Sequence, residues 1–201
     1  MVTWKKMILC VLKTIMAGHN NLEDALLTMK EAECIHEPAV VNSAFDQMAN
    51  EIEKILKDSN PIVITILQGG LIPSAKILER LNFPMEIDSV HATRYQGGLR
   101  GGKLNWKSEA TLDPKGRDIL LVDDILDEGV TVMAIDEYFI QKGAKRVYKA
   151  ILVEKTRPRA TDVTIDFVGL MVPDRYVFGC GMDYKGYWRN LNGIYAVDKT
   201  R

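Results

Sequence analysis

Short runs of branched apolar residues, each followed by a segment of helical spacing, set the pattern in the middle of this chain. Ile119 to Val122 is such a run and predicts a strand buried on both faces of a parallel sheet. That strand ends abruptly at Asp123 and Asp124, and Val130 to Ile140 follows with apolar residues at roughly helical spacing. Ile62 to Leu67 predicts another buried strand, followed by a helix from about Ile72 to Leu81. Met85 to Tyr95 alternates loosely as a strand, with Leu104 to Trp106 as its return. Arg146 to Val153 alternates as a further sheet strand, whereas Val163 to Leu170 reads as a strand outside the parallel set. Alternating βαβ units over residues 61–153 therefore predict an α/β fold, a parallel sheet with helices on both faces.

The first 60 residues carry helical patterns and few breakers. Val2 to Met16 predicts a helix ending near Gly18, and Asn21 to Ala32 a second, capped by Asn20 or Asn21. Pro38 suits the first turn of a longer helix over Ala39 to Lys57. Val41, Ala44, Phe45, Met48, Ile52, Ile55 and Leu56 give that helix one apolar stripe, a core-facing signature. His19 and His36 lack partners in the sequence and read as surface or capping residues.

At 201 residues and 47% apolar composition, one sizeable core is expected, and no apolar run is long enough to span a bilayer. No secretion signal or anchor is read, so the expected compartment is cytoplasmic. Cys10, Cys34 and Cys180 are far apart, odd in number and without metal spacing, which favours free thiols in a reducing compartment. A formal charge of −1 speaks against a general nucleic-acid binder.

The chemistry concentrates where strands give way to helices. Asp123, Asp124 and Asp127 precede Gly129 and Thr131 at the start of a helix. Free backbone N–H groups there, with the positive end of the helix dipole, suit a phosphate. Neighbouring carboxylates suit ribose hydroxyls, a magnesium ion or a proton transfer. A P-loop NTPase is excluded, since no Gly-x-x-x-x-Gly-Lys-Ser/Thr stretch occurs. Gln68-Gly69-Gly70 is a second strand-to-helix turn, compatible with an anion site or with an ordinary connection. Gln96 to Lys103 holds four glycines in eight residues and predicts a mobile loop. Lys155 to Arg159 is a basic cluster just beyond a strand, and Gln68, Asp123, Asp127 and Lys155 all fall at carboxyl ends of strands, where such sheets bind ligands.

The string Val122-Asp-Asp-Ile-Leu-Asp-Glu-Gly-Val-Thr131 resembles the phosphoribosyl-pyrophosphate (PRPP) motif of type I phosphoribosyltransferases, in its purine-salvage form. Further matches follow in the family's order: Leu67 to Gly70, Tyr95 before the glycine-rich loop, Lys155, and Tyr176 to Asp183. The resemblance covers roughly residues 61–197. It implies a type I phosphoribosyltransferase-like twisted parallel sheet in one domain over 1–201. The core would span about 61–155, with a small hood from parts of 1–60 and 160–201. It implies 6-oxopurine salvage: PRPP and hypoxanthine or guanine give IMP or GMP and pyrophosphate. Small-molecule substrates, a magnesium ion (Mg2+), no nucleic acid, no membrane, and a homodimer or homotetramer are implied with it.

The roles implied are specific. Asp123 and Asp124 would bind the ribose hydroxyls, directly or through magnesium. Asp127, Glu128, Gly129, Val130 and Thr131 would cradle the 5′-phosphate. Leu67, Gln68, Gly69, Gly70 and Arg189 would hold the pyrophosphate, with Tyr95 opening the closing loop. Tyr176 would stack on the base, Ile125 and Met182 would line its pocket, and Val177 would offer its backbone. Asp183 would hold a magnesium ion beside the base. Asp127 would handle the N7 proton and Lys155 the 6-oxo group, making them the catalytic pair. Gln68 stands where members often have lysine, Arg94 where they have serine, and Glu128 where many have threonine. The Glu128 side chain must therefore point away from the phosphate, or the phosphate site is weakened. A PRPP-binding regulator acting on nucleic acid is the alternative, but residues 1–60 show neither an added DNA-binding segment nor a basic face. A pyrimidine-type transferase regulating RNA fits less well, because Lys155 and Tyr176 to Asp183 are purine-type.

Overall fold

The computed structural model describes residues 21–94, 104–157 and 162–197. The predicted helix from Val2 to Met16, Tyr95 and the loop from Gln96 to Lys103 lie outside those residues. Helix α1 covers 21–31, followed by β1 (Glu33–His36), α2 (Pro38–Leu56), β2 (Ile62–Ile66) and α3 (Leu71–Leu78). Then come β3 (Glu86–Arg94), β4 (Leu104–Ser108), β5 (Asp118–Leu126), α4 (Val130–Gln141), β6 (Arg146–Lys155), β7 (Phe167–Val172), β8 (Tyr176–Phe178) and β9 (Ile194–Val197).

The main sheet has the order β4-β3-β2-β5-β6-β7. All neighbours are parallel except the edge pair β3–β4. Strand residues alternate between two cores, as a period of two requires. Val63, Leu120 and Val122 face α2 and α3 with Phe45, Met48, Ile52 and Ile77. Ile62, Ile64, Ile119 and Leu121 face α4 with Val132, Ile135 and Phe139. Burial on both faces is why these strands read as near-continuous apolar runs.

Three expectations are corrected. Ile55, expected in the core stripe of α2, turns to solvent at 51% exposure. The strand read as ending at Val122 continues to Leu126, because Asp123, Ile125 and Leu126 keep register with Ile151, Val153 and Glu154 of β6. The strand placed outside the parallel set is β7, which pairs parallel with β6, Ile151 opposite Val168 and Val153 opposite Leu170. Its second face is covered by α2, where Met48 sulfur would lie 2.9 Å from a Cβ built on Gly169.

A three-stranded antiparallel sheet, β1-β9-β8, forms a hood above the strand ends. Phe178, Tyr184 and Val197 pack there on Ala25 of α1. The Trp188 indole donates to the Ala25 carbonyl at 2.8 Å, and Lys185 reaches Asp24 at 2.8 Å. Among the described residues no helix is long and apolar enough to cross a membrane.

Candidate active site

Two cavities of about 230 Å³ each open at the carboxyl ends of β2, β5 and β6, beneath the hood. The first is walled by Leu67, Asp123, Glu128, Gly129 and Thr131; the second by Lys155, Tyr176, Val177, Met182 and Asp183. Asp124, Ile125 and Asp127 line both and form the divide between them.

The floor of the first cavity is the loop from β5 into α4. Gly129 precedes the helix with φ +77°, a left-handed conformation that glycine adopts without a Cβ penalty. Among the described residues no side chain caps this helix, which leaves its first N–H groups available to an anion. The Leu67–Gln68 peptide bond is cis, and Gln68 is exposed. Gly69 lies against the Asp124 carboxylate, and Gly181, at φ +108°, lies against the Gly69 carbonyl oxygen, a Cβ on either glycine falling 2.3 Å from its neighbour. Two hood-and-loop backbones can therefore meet over Asp124 only because both residues lack side chains.

Asp123 Oδ1 accepts from the Asp124 N–H at 2.9 Å, and Asp124 Oδ1 from the Ile125 N–H at 2.7 Å. Burial, then the adjacent Asp124 charge, holds the Asp123 carboxyl well above its ordinary range. Burial also raises Asp124, opposed chiefly by Arg189. That guanidinium lies 3.8 Å from Asp124 Oδ2 and pairs with Asp183 Oδ1 at 2.5 Å. It also donates to the Gly181 carbonyl at 2.6 Å.

In the second cavity Tyr176 stands on β8, the edge strand of the hood sheet, and its hydroxyl donates to the Asp183 carbonyl at 3.2 Å. The Tyr184 ring meets it edge-on at 5.4 Å, fixing the ring plane. Opposite, Lys155 Nζ is 3.2 Å from Asp127 Oδ1 and 3.9 Å from Asp174 Oδ1. Glu128 Oε1 is 3.8 Å from Arg157.

Of the residues singled out from the sequence, the strand ends gather most around the two cavities. Gln68, Gly69, Gly70 and Val130 stand in the loop and at the helix starts beside them, and Arg189 approaches through its ion pairs. Arg157 and Asp174 were missed. Arg157 lies within the basic cluster, but nothing in the sequence shows which member turns inward. Asp174 precedes the hood by two residues and carries no local pattern.

The Phosphoribosyl transferase domain family model matches residues 33–185. The chain belongs to the phosphoribosyltransferase family. Among curated relatives, the hypoxanthine-guanine phosphoribosyltransferase of Aquifex aeolicus is 32% identical over 76% of this chain and 86% of its own length. That of Bacillus subtilis is 31% identical over 72% and 81%. The solved hypoxanthine-guanine phosphoribosyltransferase of Bacillus anthracis superposes with a TM-score of 0.76 at 24% identity, covering 82% of this chain and 97% of that one. The fold of this phosphoribosyltransferase is thus the family's own.

Proposed function

We propose that the paired cavities form the active site of a 6-oxopurine phosphoribosyltransferase, transferring the phosphoribosyl group of PRPP to hypoxanthine or guanine. One observation carries this reading. Asp124, Ile125 and Asp127 divide an uncapped helix N-terminus from an aromatic pocket that holds a lysine. A sugar phosphate in the first cavity and a flat base in the second would meet over that divide, where the new C–N bond must form.

The backbone from Asp127 to Thr131 binds the 5′-phosphate, while Asp123 and Asp124 accept from the ribose hydroxyls. Leu67 to Gly70 and Arg189 receive pyrophosphate. Tyr176 covers the base, and Val177 offers backbone groups from an edge strand whose partner lies on one side alone. The Lys155 ammonium donates to the 6-oxo oxygen, and Asp127 takes the base proton as a ring nitrogen attacks C1′. The bond from C1′ to the pyrophosphate oxygen breaks with its electron pair leaving on pyrophosphate. Positive charge developing on the ribose is stabilised by the fixed carboxylates around it.

The carboxylates of Asp183, Asp123 and Asp124 are the residues that would hold magnesium. Among the described residues no three or more His, Cys, Asp or Glu converge as a metal cage. Such a sparse donor set fits an ion that binds through one or two carboxylates and substrate phosphates. When bound it supplies charge neutralisation for pyrophosphate. Small-molecule substrates, a cytoplasmic location and a homodimer or homotetramer complete the proposal.

Lys155→Ala tests it. An ammonium can only donate, so it matches a 6-oxo oxygen and opposes the 6-amino group of adenine. The variant should lose most hypoxanthine activity, by roughly 10- to 100-fold for one charged hydrogen bond, and narrow the gap to adenine. Unchanged hypoxanthine kinetics would sink the assignment.

A further inference from the structure

Arg157 lines neither cavity, yet it closes a cluster of five charged side chains beside the base pocket. Its guanidinium donates to Asp127 Oδ1 at 2.6 Å. The same group lies 3.6 Å from Asp174 Oδ1 and 3.8 Å from Glu128 Oε1. Lys155 approaches the same Asp127 oxygen at 3.2 Å. Among the described residues two cations thus serve three carboxylates, and both converge on Asp127.

The Arg157 side chain is only 25% exposed, and among the described residues its buried Nε–H has no hydrogen-bond partner. Leaving a guanidinium donor unpaired in the interior is unfavourable. Satisfying its own hydrogen bonds therefore does not account for the placement. The shared oxygen does. On the transferase reading above, Lys155 has two demands on one ammonium: Asp127 Oδ1 in the free protein and the 6-oxo oxygen once a base is bound. When it turns to the base, Asp127 stands between Glu128 and Asp174 and needs another counter-charge.

We propose that Arg157 is the positioning residue for Asp127, holding its carboxylate in place while Lys155 passes to the base. A guanidinium suits this part, since it stays charged and presents a rigid fork to several carboxylates at once. The same guanidinium also lies 3.8 Å from Glu128 Oε1. Arg157 acts through Asp127 and touches no substrate.

Steady-state kinetics with hypoxanthine and PRPP on Arg157→Ala, Arg157→Lys and the Arg157→Ala/Asp127→Asn pair test this, alongside thermal melts. Loss of one hydrogen bond between charged groups should lower kcat of Arg157→Ala roughly 10- to 100-fold, with KM for PRPP within about twofold. Arg157→Lys should recover much of that loss, because a cation again reaches Asp127. With Asp127→Asn already present, Arg157→Ala should lower kcat by less than about twofold more, the sign of two residues acting as one unit. If the alanine variant fails to fold, Arg157→Gln enters the same cycle. Arg157→Ala, or Arg157→Gln in its place, with wild-type kcat overturns the proposal, as does a fully additive loss in the Asp127→Asn background. Wild-type protein that makes no IMP fails the transferase reading itself, a separate outcome.

Discussion

Replacing Gly69 by alanine puts a methyl group where the structure has no room for one. A Cβ there would lie 2.3 Å from Asp124 Oδ2, 2.4 Å from Cγ and 2.5 Å from Oδ1. Ordinary contact needs about 3.5 Å, so the carboxylate or the loop must move by about 1 Å. Asp124 is 7% exposed and its Oδ1 holds the Ile125 N–H, so it cannot swing into solvent. Overpacking of this kind costs about 1–3 kcal/mol, roughly 3 to 10 °C in Tm for a chain of this size. A misplacement of about 1 Å in a positioning group costs on the order of 10²-fold in activity. Gly69→Ala should therefore show that loss in kcat/KM for PRPP, measured by pyrophosphate release. Gly116→Ala is the control: φ is +69° there, but nothing lies within 4 Å of the added methyl. It should lose about 1–2 kcal/mol to backbone strain and keep its activity. Gly69→Ala with kcat/KM within about threefold of wild type would refute a fixed Asp124, whose exact position is worth that factor of 10².

Asp127→Asn should keep the fold and lower kcat about 10²-fold or more, the scale of one acid–base group; near-normal turnover with hypoxanthine would remove it from the catalytic pair. The Cys180 thiol, pushed up to about 11 by burial, should resist iodoacetamide near neutral pH until the protein unfolds, followed site by site by mass spectrometry. Rapid labelling of the native protein would contradict its packing. Asp123 and Asp124 are raised above their unfolded values, so the folded state binds the extra protons and stability from this pair falls as pH rises through the raised values. Urea midpoints across that range should decline less in Asp123→Asn than in wild type, and equal slopes would refute the raised pair.

The site was legible where chemistry is local. Val122 to Thr131 holds its carboxylates, its left-handed glycine and its helix start within ten residues, so the sequence displays the whole device at once. The paired core faces were legible because burial on both sides leaves near-continuous apolar runs, Ile62 to Ile66 with Thr65 the one polar member, and Ile119 to Val122. What escaped depends on distant pairing. β1 is four residues long and joins β9 across more than 150 residues, Glu33 opposite Ala196, with no alternation long enough to see. β7 is apolar wherever it lies; only its register with β6 puts it in the parallel sheet. Gly181 looks like any turn glycine until its approach to Gly69 gives it a reason. Arg157 and Lys155 are two residues apart in one basic run, and a run of charge does not say which members face a carboxylate 30 residues away.

The most direct measurement of the account is base preference in the wild-type protein, with PRPP and magnesium saturating and IMP, GMP and AMP quantified separately. Lys155 lies 13% exposed at the base cavity, so an adenine amino group would face a desolvated donor there. A site built around such a donor rejects the mismatched analogue by more than one lost contact supplies, and kcat/KM for adenine should fall at least about 10³-fold below that for hypoxanthine or guanine. Equal use of adenine and hypoxanthine, or no nucleotide from any base, would contradict it.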